Sequence, residues 1–342
     1  MNKQIIVLGT GGTIAGKSAS ATDNVAYVAS QVGVAQLLAA IPSLASADGS
    51  AIYGDCELVC EQVAQIDSKD MNFEIWQRLL ARCTYWLAQP QVQGIVITHG
   101  TDTLEETAFF LHSALDTNKA VVLTCAMRPS TAIAPDGPQN LLDALAVASS
   151  DPIKAGISGV VAVCAGTIHS AVDVQKVHNY RLDAFSSGDA GVLGYVKEGK
   201  LVVYRNYKSN MSIASINITY AAMKKIANSF HDLKTLPRVE IVLNHSGATG
   251  AMVEALLDQR KSAASNELRG IVVAATGNGT ISKELERSLQ IAEAAGVVVW
   301  RSTRCAFGAL VGKADAQFGD SGGLTPVKAR IALMLHLAAQ QF

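Results

Sequence analysis

The chain of 342 residues contains no apolar stretch approaching the roughly 20 residues needed to cross a bilayer. Its mean hydropathy of +0.24 is nevertheless high for a soluble chain, so the apolar content is expected in buried parallel strands. Charge of one sign is not in excess either. Against 28 Lys and Arg stand 29 Asp and Glu, a formal net charge of -1, which points away from nucleic acid and anionic membranes and toward a small ligand. The six cysteines (Cys56, Cys60, Cys83, Cys125, Cys164 and Cys305) lack CxxC spacing, which argues against a zinc knuckle or a disulfide framework and leaves buried free thiols. The seven histidines form no HExxH or His-x-His pattern, so no metal and no other cofactor is predicted. Internal repeats and low-complexity tracts are missing too. Met1 is followed by Lys3 and then by a strand that runs into a glycine loop, with no room for a signal peptide, so a cytoplasmic location is expected.

What is present is strand and helix in alternation. Ile5–Leu8, Leu58–Ile66, Gly94–Thr98, Ala120–Cys125 and Gly159–Cys164 read as strands, with helices at Val32–Ala40, Phe73–Leu87, Thr103–Leu115 and Pro138–Ala148. Ser68 before Asp70 and the run to Leu87, and Asp136-Gly137-Pro138, supply helix-start signals. Gly191–Val196 and Leu201–Tyr204, around Lys197–Lys200, read as a hairpin. Beyond a polar stretch, Val239–Leu243, Gly270–Ala275 and Gly296–Trp300 are expected strands and Ala248–Gln259, Ser282–Ala295 and Thr325–Gln340 expected helices. The fold class is therefore α/β. A doubly wound, largely parallel sheet forms a larger N-terminal domain (1–205), a linker spans 206–236, and a smaller α/β domain spans 237–342.

Two segments place threonines at expected strand ends: Gly9–Gly16 after Gln4–Leu8, and Thr98–Thr103 after Gly94–Ile97. In an open α/β sheet the carboxyl ends of strands form the ligand crevice, so both could serve one substrate. Gly11–Ser18 also satisfies the P-loop pattern GxxxxGK[ST], but Ser18–Asn24 is poor in helix formers where a phosphate-binding helix should begin, and no Walker B segment follows. The dinucleotide fingerprint fails at Ile14, where its third glycine belongs. On the remaining reading, Gly11 and Gly12 free the backbone so that the loop presents the Thr13 hydroxyl and N–H donors to a carbonyl.

Taken together, these segments resemble the bacterial L-asparaginase (asparaginase–glutaminase) family, most like its type II branch. The match runs through Thr10–Gly16, Tyr27 before Val32–Val34, Ile66–Met71, Ile97–Ala108, Ala126–Pro129, Asp136–Asn140, Asp173–Lys176 and Gly277–Gly279. The resemblance implies an amidohydrolase that converts L-asparagine to L-aspartate and ammonia through an acyl-enzyme. In it Thr13 is the nucleophile, Tyr27, in a lid loop, helps remove its proton, and Thr101, Asp102 and Lys176 form a second catalytic cluster. Gly12, Ser68, Lys69, Gly100, Thr101, Asp102 and Asn278 become substrate-binding residues, with Asn278 approaching a neighbour's site in a homotetramer. The alternatives are a glutaminase or other small-amide hydrolase on the same scaffold, and a P-loop nucleotide-binding protein. A threonine hydroxyl needs a neighbouring base or cation to lose its proton at neutral pH. The structural alternative for Lys176 is a solvated pair with Asp173, one turn away. Backbone N–H groups around Gly12-Thr13 and Gly100-Thr101 are the expected oxyanion donors, worth roughly 3 kcal/mol each.

Two departures from the family pattern stand out. Lys69 places a cation where the substrate's α-ammonium is expected, repulsive unless its side chain turns away or pairs with an acid. Phe307–Gly323 is short and lacks the glutamate that relatives contribute across the dimer interface, leaving Asp315 as a candidate partner for Lys69.

Overall fold

The computed structural model describes residues 2–45, 51–207, 235–262, 267–312 and 316–340. The chain divides into two compact units, Met1–Met211 and Ser212–Phe342. Of the expected linker, only residues 206, 207, 235 and 236 fall among the described ones.

The first unit is built on a nine-stranded sheet. Its strands run in the order Lys200–Val203, Gly194–Lys197, Thr167–Ser170, Gly159–Cys164, Ala120–Thr124, Val92–Thr98, Lys3–Gly11, Cys56–Ile66 and Ile52–Tyr53. The five strands from Gly159–Cys164 to Cys56–Ile66 are mutually parallel, and the pairings at both edges are antiparallel. Ile5–Leu8, Ile95–Ile97 and Val121–Leu123 are completely buried, as strands covered by helices on both faces must be. Each such side chain removed from water stabilises the fold by about 1.5–3 kcal/mol. The hairpin turns at Glu198 and Gly199, with φ of 49° and 68°, the left-handed pair of a tight two-residue turn.

Helix starts follow local chemistry. The helix Phe73–Leu87 is capped by Asn72, whose side chain accepts the Ile75 N–H at 3.1 Å; Ser68–Asp70 instead forms a separate 3-10 turn, correcting the expected start signal. Pro138 opens Gly137–Ser149 at a position where its missing N–H costs nothing.

The strand order reverses beside Lys3–Gly11. From it the chain crosses to Cys56–Ile66 on one side and then returns to Val92–Thr98 on the other. The carboxyl ends of Lys3–Gly11 and Val92–Thr98 flank the switch point, the place where open α/β sheets accommodate ligands because the two crossovers leave in opposite directions.

The second unit carries a four-stranded parallel sheet, Arg238–Leu243, Leu268–Ala275, Val298–Thr303 and Gly319–Asp320 in chain order. Among its described residues Ala251–Ser262, Lys283–Ala294 and Pro326–Ala339 are helices, and Val242, Val253, Ile271, Val273, Leu285, Leu289 and Val299 form a buried cluster between elements. The third strand begins at Val298 rather than Gly296, because Gly296 takes a left-handed turn (φ 83°) out of the preceding helix.

Candidate active site

The first threonine loop leaves its strand through two glycines in left-handed conformations, Gly11 (φ 104°) and Gly12 (φ 81°). Gly12 is also needed for space. A Cβ on it would lie 2.3 Å from Gly100 Cα and 2.4 Å from Gly100 N, so the residues that precede Thr13 and Thr101 pack backbone against backbone. Thr10 ties the two strands together below this point, donating to Thr98 O at 2.9 Å. A methyl on Gly100 would meet Ser68 Oγ at 2.5 Å.

Thr13 is buried in a 3-10 turn, Thr13–Ala15, and its Oγ1 lies 2.6 Å from the Tyr27 hydroxyl. Tyr27–Val28 pairs antiparallel with Lys17–Ser18, which holds the phenol over the loop. This ladder also removes the P-loop alternative: Lys17-Ser18 forms extended strand where a phosphate-binding helix would have to begin. Burial raises the Tyr27 phenol above its ordinary range against the lowering effect of its bond to Thr13; the charges of Asp67 and Asp102 add to the rise and Lys69 opposes it.

Around the second loop, Lys176 Nζ donates to Thr101 Oγ1 and to Asp102 Oδ1, both at 2.7 Å. Its backbone N–H reaches Glu105 Oε1 at 3.1 Å. The pairing of Lys176 with Asp173 is not what forms: Asp173 takes Ser170 Oγ at 2.6 Å and Arg205 at 2.9 Å. Ser68 is buried beneath the loop, where its Oγ accepts the Asp102 N–H at 3.2 Å and its carbonyl accepts the Thr103 hydroxyl at 2.8 Å.

One expectation about backbone donors needs correction, and the charge of Lys69 finds its acid locally. The Gly12 N–H points at Ile66 O and Ser30 Oγ, each at 2.9 Å, so it is committed to the fold and does not face a substrate oxygen. Lys69 is not an uncompensated cation. It pairs with Asp67 at 2.5 Å and lies 3.9 Å from Asp70, partners supplied by its own turn; Asp315 lies outside the described residues. Asn278 is in the second unit, and its amide is matched to the Val311 backbone, donating at 3.1 Å and accepting at 2.7 Å.

Residues that pattern reading passed over complete the arrangement. Ser30 occupies a left-handed conformation (φ 60°), rare for a residue with a side chain, and uses it to bridge Gly12 N and Ile66 O. Behind Gly100 lies a buried chain of hydrogen bonds whose direction is set at its ends. The Trp76 indole, a donor only, reaches Thr107 Oγ1 at 2.9 Å. The Gly100 carbonyl can only accept, so His99 Nδ1 carries the proton and donates to it at 2.7 Å, and Nε2 of the neutral ring accepts from the Thr107 hydroxyl at 2.9 Å. The carbonyl of Gly100 and the N–H of Thr101 belong to one planar trans peptide and point in opposite directions, so anchoring the first aims the second away from His99. Burial, opposed by the bond to Gly100, lowers His99 to about 4, which keeps the ring neutral. The eight-residue spacing between His99 and Thr107 was visible in the sequence, but not that a strand end and a helix face would meet there.

The class that this fold and pair of threonine clusters define is that of an amide hydrolase scaffold, and the family models agree with it. The chain belongs to the asparaginase family: residues 4–209 match the model for "Asparaginase, N-terminal" and 238–341 that for "Glutaminase/Asparaginase C-terminal domain". It is 36% identical to the L-asparaginase 2 of Bacillus subtilis, over 97% of this chain and 82% of that protein. Against the L-asparaginase 2 of Escherichia coli the identity is 37%, over 97% and 88%. A crystal structure titled probable cytoplasmic L-asparaginase, from Campylobacter jejuni, superposes with a TM-score of 0.81 at 36% identity, covering 98% of this chain and 95% of that one.

Proposed function

We propose that this chain hydrolyses L-asparagine to L-aspartate and ammonia, with Thr13 as nucleophile and an acyl-enzyme ester as intermediate. The observation that carries the reading is that each threonine at the switch point bonds to a group able to move its proton, Tyr27 at 2.6 Å and Lys176 at 2.7 Å. Thr13 Oγ1 forms the bond to the side-chain carbonyl carbon while its proton leaves toward Tyr27. Burial raises the phenol, which therefore stays protonated at neutral pH and works as a relay, taking the Thr13 proton as it releases its own to solvent water and returning it to Thr13 when the ester is hydrolysed. On the other side, Thr101 donates its hydroxyl proton to the departing nitrogen and is resupplied by Lys176, which Asp102 holds in place. The same relay runs backwards when water attacks the ester. The Thr101 N–H, aimed away from His99, supplies a donor for the oxyanion, and Ser68 and Gly100 shape the floor beneath the substrate.

A second substrate, L-glutamine, is favoured by relatives that carry the description glutaminase-asparaginase, one of which, from Pseudomonas fluorescens, is 36% identical over 98% of this chain. A homotetramer with Asn278 near a neighbouring site follows from likeness to the family, as does a cytoplasmic location from likeness to the Campylobacter protein; a relative from Haemophilus influenzae is described as periplasmic. Among the described residues no helix is long and apolar enough to cross a membrane. The decisive experiment is ammonia release from both amides by wild type and Thr13→Ala. Turnover of asparagine that falls at least about a thousandfold in the variant supports the reading. A variant that keeps the wild-type rate overturns it.

A further inference from the structure

Two strands of the first sheet end in cysteines that the amide chemistry does not use. Cys125 directly follows Ala120–Thr124, and Cys164 closes Gly159–Cys164. The parallel register sets Thr124 beside Val163, so the two cysteines stand side by side one position further on. Their sulfurs are 3.3 Å apart and both residues are buried. The side chain of Asn140 clamps the two segments, donating to Cys125 O at 2.9 Å and accepting the Ala165 N–H at 3.0 Å, which prevents the sulfurs from drifting apart.

We propose that Cys125 and Cys164 are a reversible dithiol–disulfide couple, a site of oxidative modification at the ends of adjacent parallel strands. Neighbouring strands lie about 4.8 Å apart, within the Cα separations that a disulfide spans, and closing the sulfurs to about 2.05 Å needs rotation of side chains rather than rearrangement of the sheet. With hydrogen peroxide as oxidant, one sulfur loses its proton and attacks the peroxide oxygen. The O–O bond breaks, giving a sulfenic acid, and the departing hydroxide takes up the proton as water. The partner sulfur then displaces hydroxide from the sulfenic sulfur, forming the S–S bond, and its own proton completes a second water. Two thiols and one peroxide thus become one disulfide and two waters, and dithiothreitol reverses the change by exchange. The hydrogen bond to Cys164, and then burial, hold the Cys125 thiol well above its ordinary range, so the reaction is expected to quicken as pH is raised from 7 to 9.

The test is a thiol count and a peptide map on the full-length protein. Reduced protein, unfolded in N-ethylmaleimide, should carry six adducts. After peroxide treatment of the folded protein it should carry four and be two hydrogens lighter before alkylation. Tryptic peptides 120–154 and 155–176 should then migrate as one species that dithiothreitol separates. Cys164→Ser should carry five adducts before and after oxidation; the wild-type map decides the matter if that variant does not fold. Six adducts after oxidation, a bridge joining other peptides, or sulfinic acid at Cys125 with Cys164 still alkylated would each overturn the proposal.

Discussion

Acidification should weaken the first unit through a single ring, His99. In the folded chain this histidine is completely buried and is lowered to about 4, whereas an unfolded chain returns it to the ordinary 6.5. Between those values the unfolded state binds a proton that the folded state refuses, so the histidine's contribution is fully present above 6.5 and lost as pH falls toward 4. At 1.36 kcal/mol per pKa unit, the gap amounts to about 3 kcal/mol. For a unit of this size that is a fall in Tm of roughly 6–12 °C beyond what other groups contribute. The assay is urea unfolding of wild type and His99→Asn at several values between pH 7.5 and 4. Asparagine can still donate to Gly100 O but has no charge to gain. Wild type should lead the variant at neutral pH, and that lead should shrink by about 3 kcal/mol as the pH is lowered. If the two stability curves run parallel, the neutral ring and the direction of the Trp76–Thr107–His99 hydrogen bonds are wrong.

Three further expectations follow from the same contacts. Gly12→Ala must accommodate a methyl 2.3 Å from Gly100 Cα at a φ of 81°, so both Tm and ammonia release should collapse together; a soluble variant with normal turnover would contradict the packing of the two loops. Tyr27→Phe removes the only polar atom of the phenol, which lies 2.6 Å from Thr13, and kcat should fall by about 10²–10⁴-fold with little change in the folded far-UV spectrum. Lys69→Gln deletes a cation already neutralised by Asp67. The variant should therefore raise kcat/KM for asparagine relative to succinamate, which lacks the ammonium, by no more than several-fold; a reversal of preference would mean that Lys69 reaches the ligand.

Much of this protein could be read along the chain, because the signals concerned are local. Continuous apolar runs such as Ile5–Leu8 mark strands covered on both faces, a glycine pair before Thr13 marks a left-handed exit, and the Lys197–Lys200 turn marks a hairpin. The residue types of the candidate site, Thr13, Tyr27, Thr101, Asp102 and Lys176, were equally legible from their motifs. Partnership was not. Lys176 bonds with Asp102, 74 positions away, while Asp173, three positions away, turns to Arg205; Gly12 spends its N–H on Ile66 and Ser30; and two cysteines 39 positions apart come to lie side by side. Propensity and periodicity act over a few residues, so they are written in the chain itself. The choice of a hydrogen-bond partner is made through space, after strand order and register have closed the long loops, and only the folded sheet could decide it.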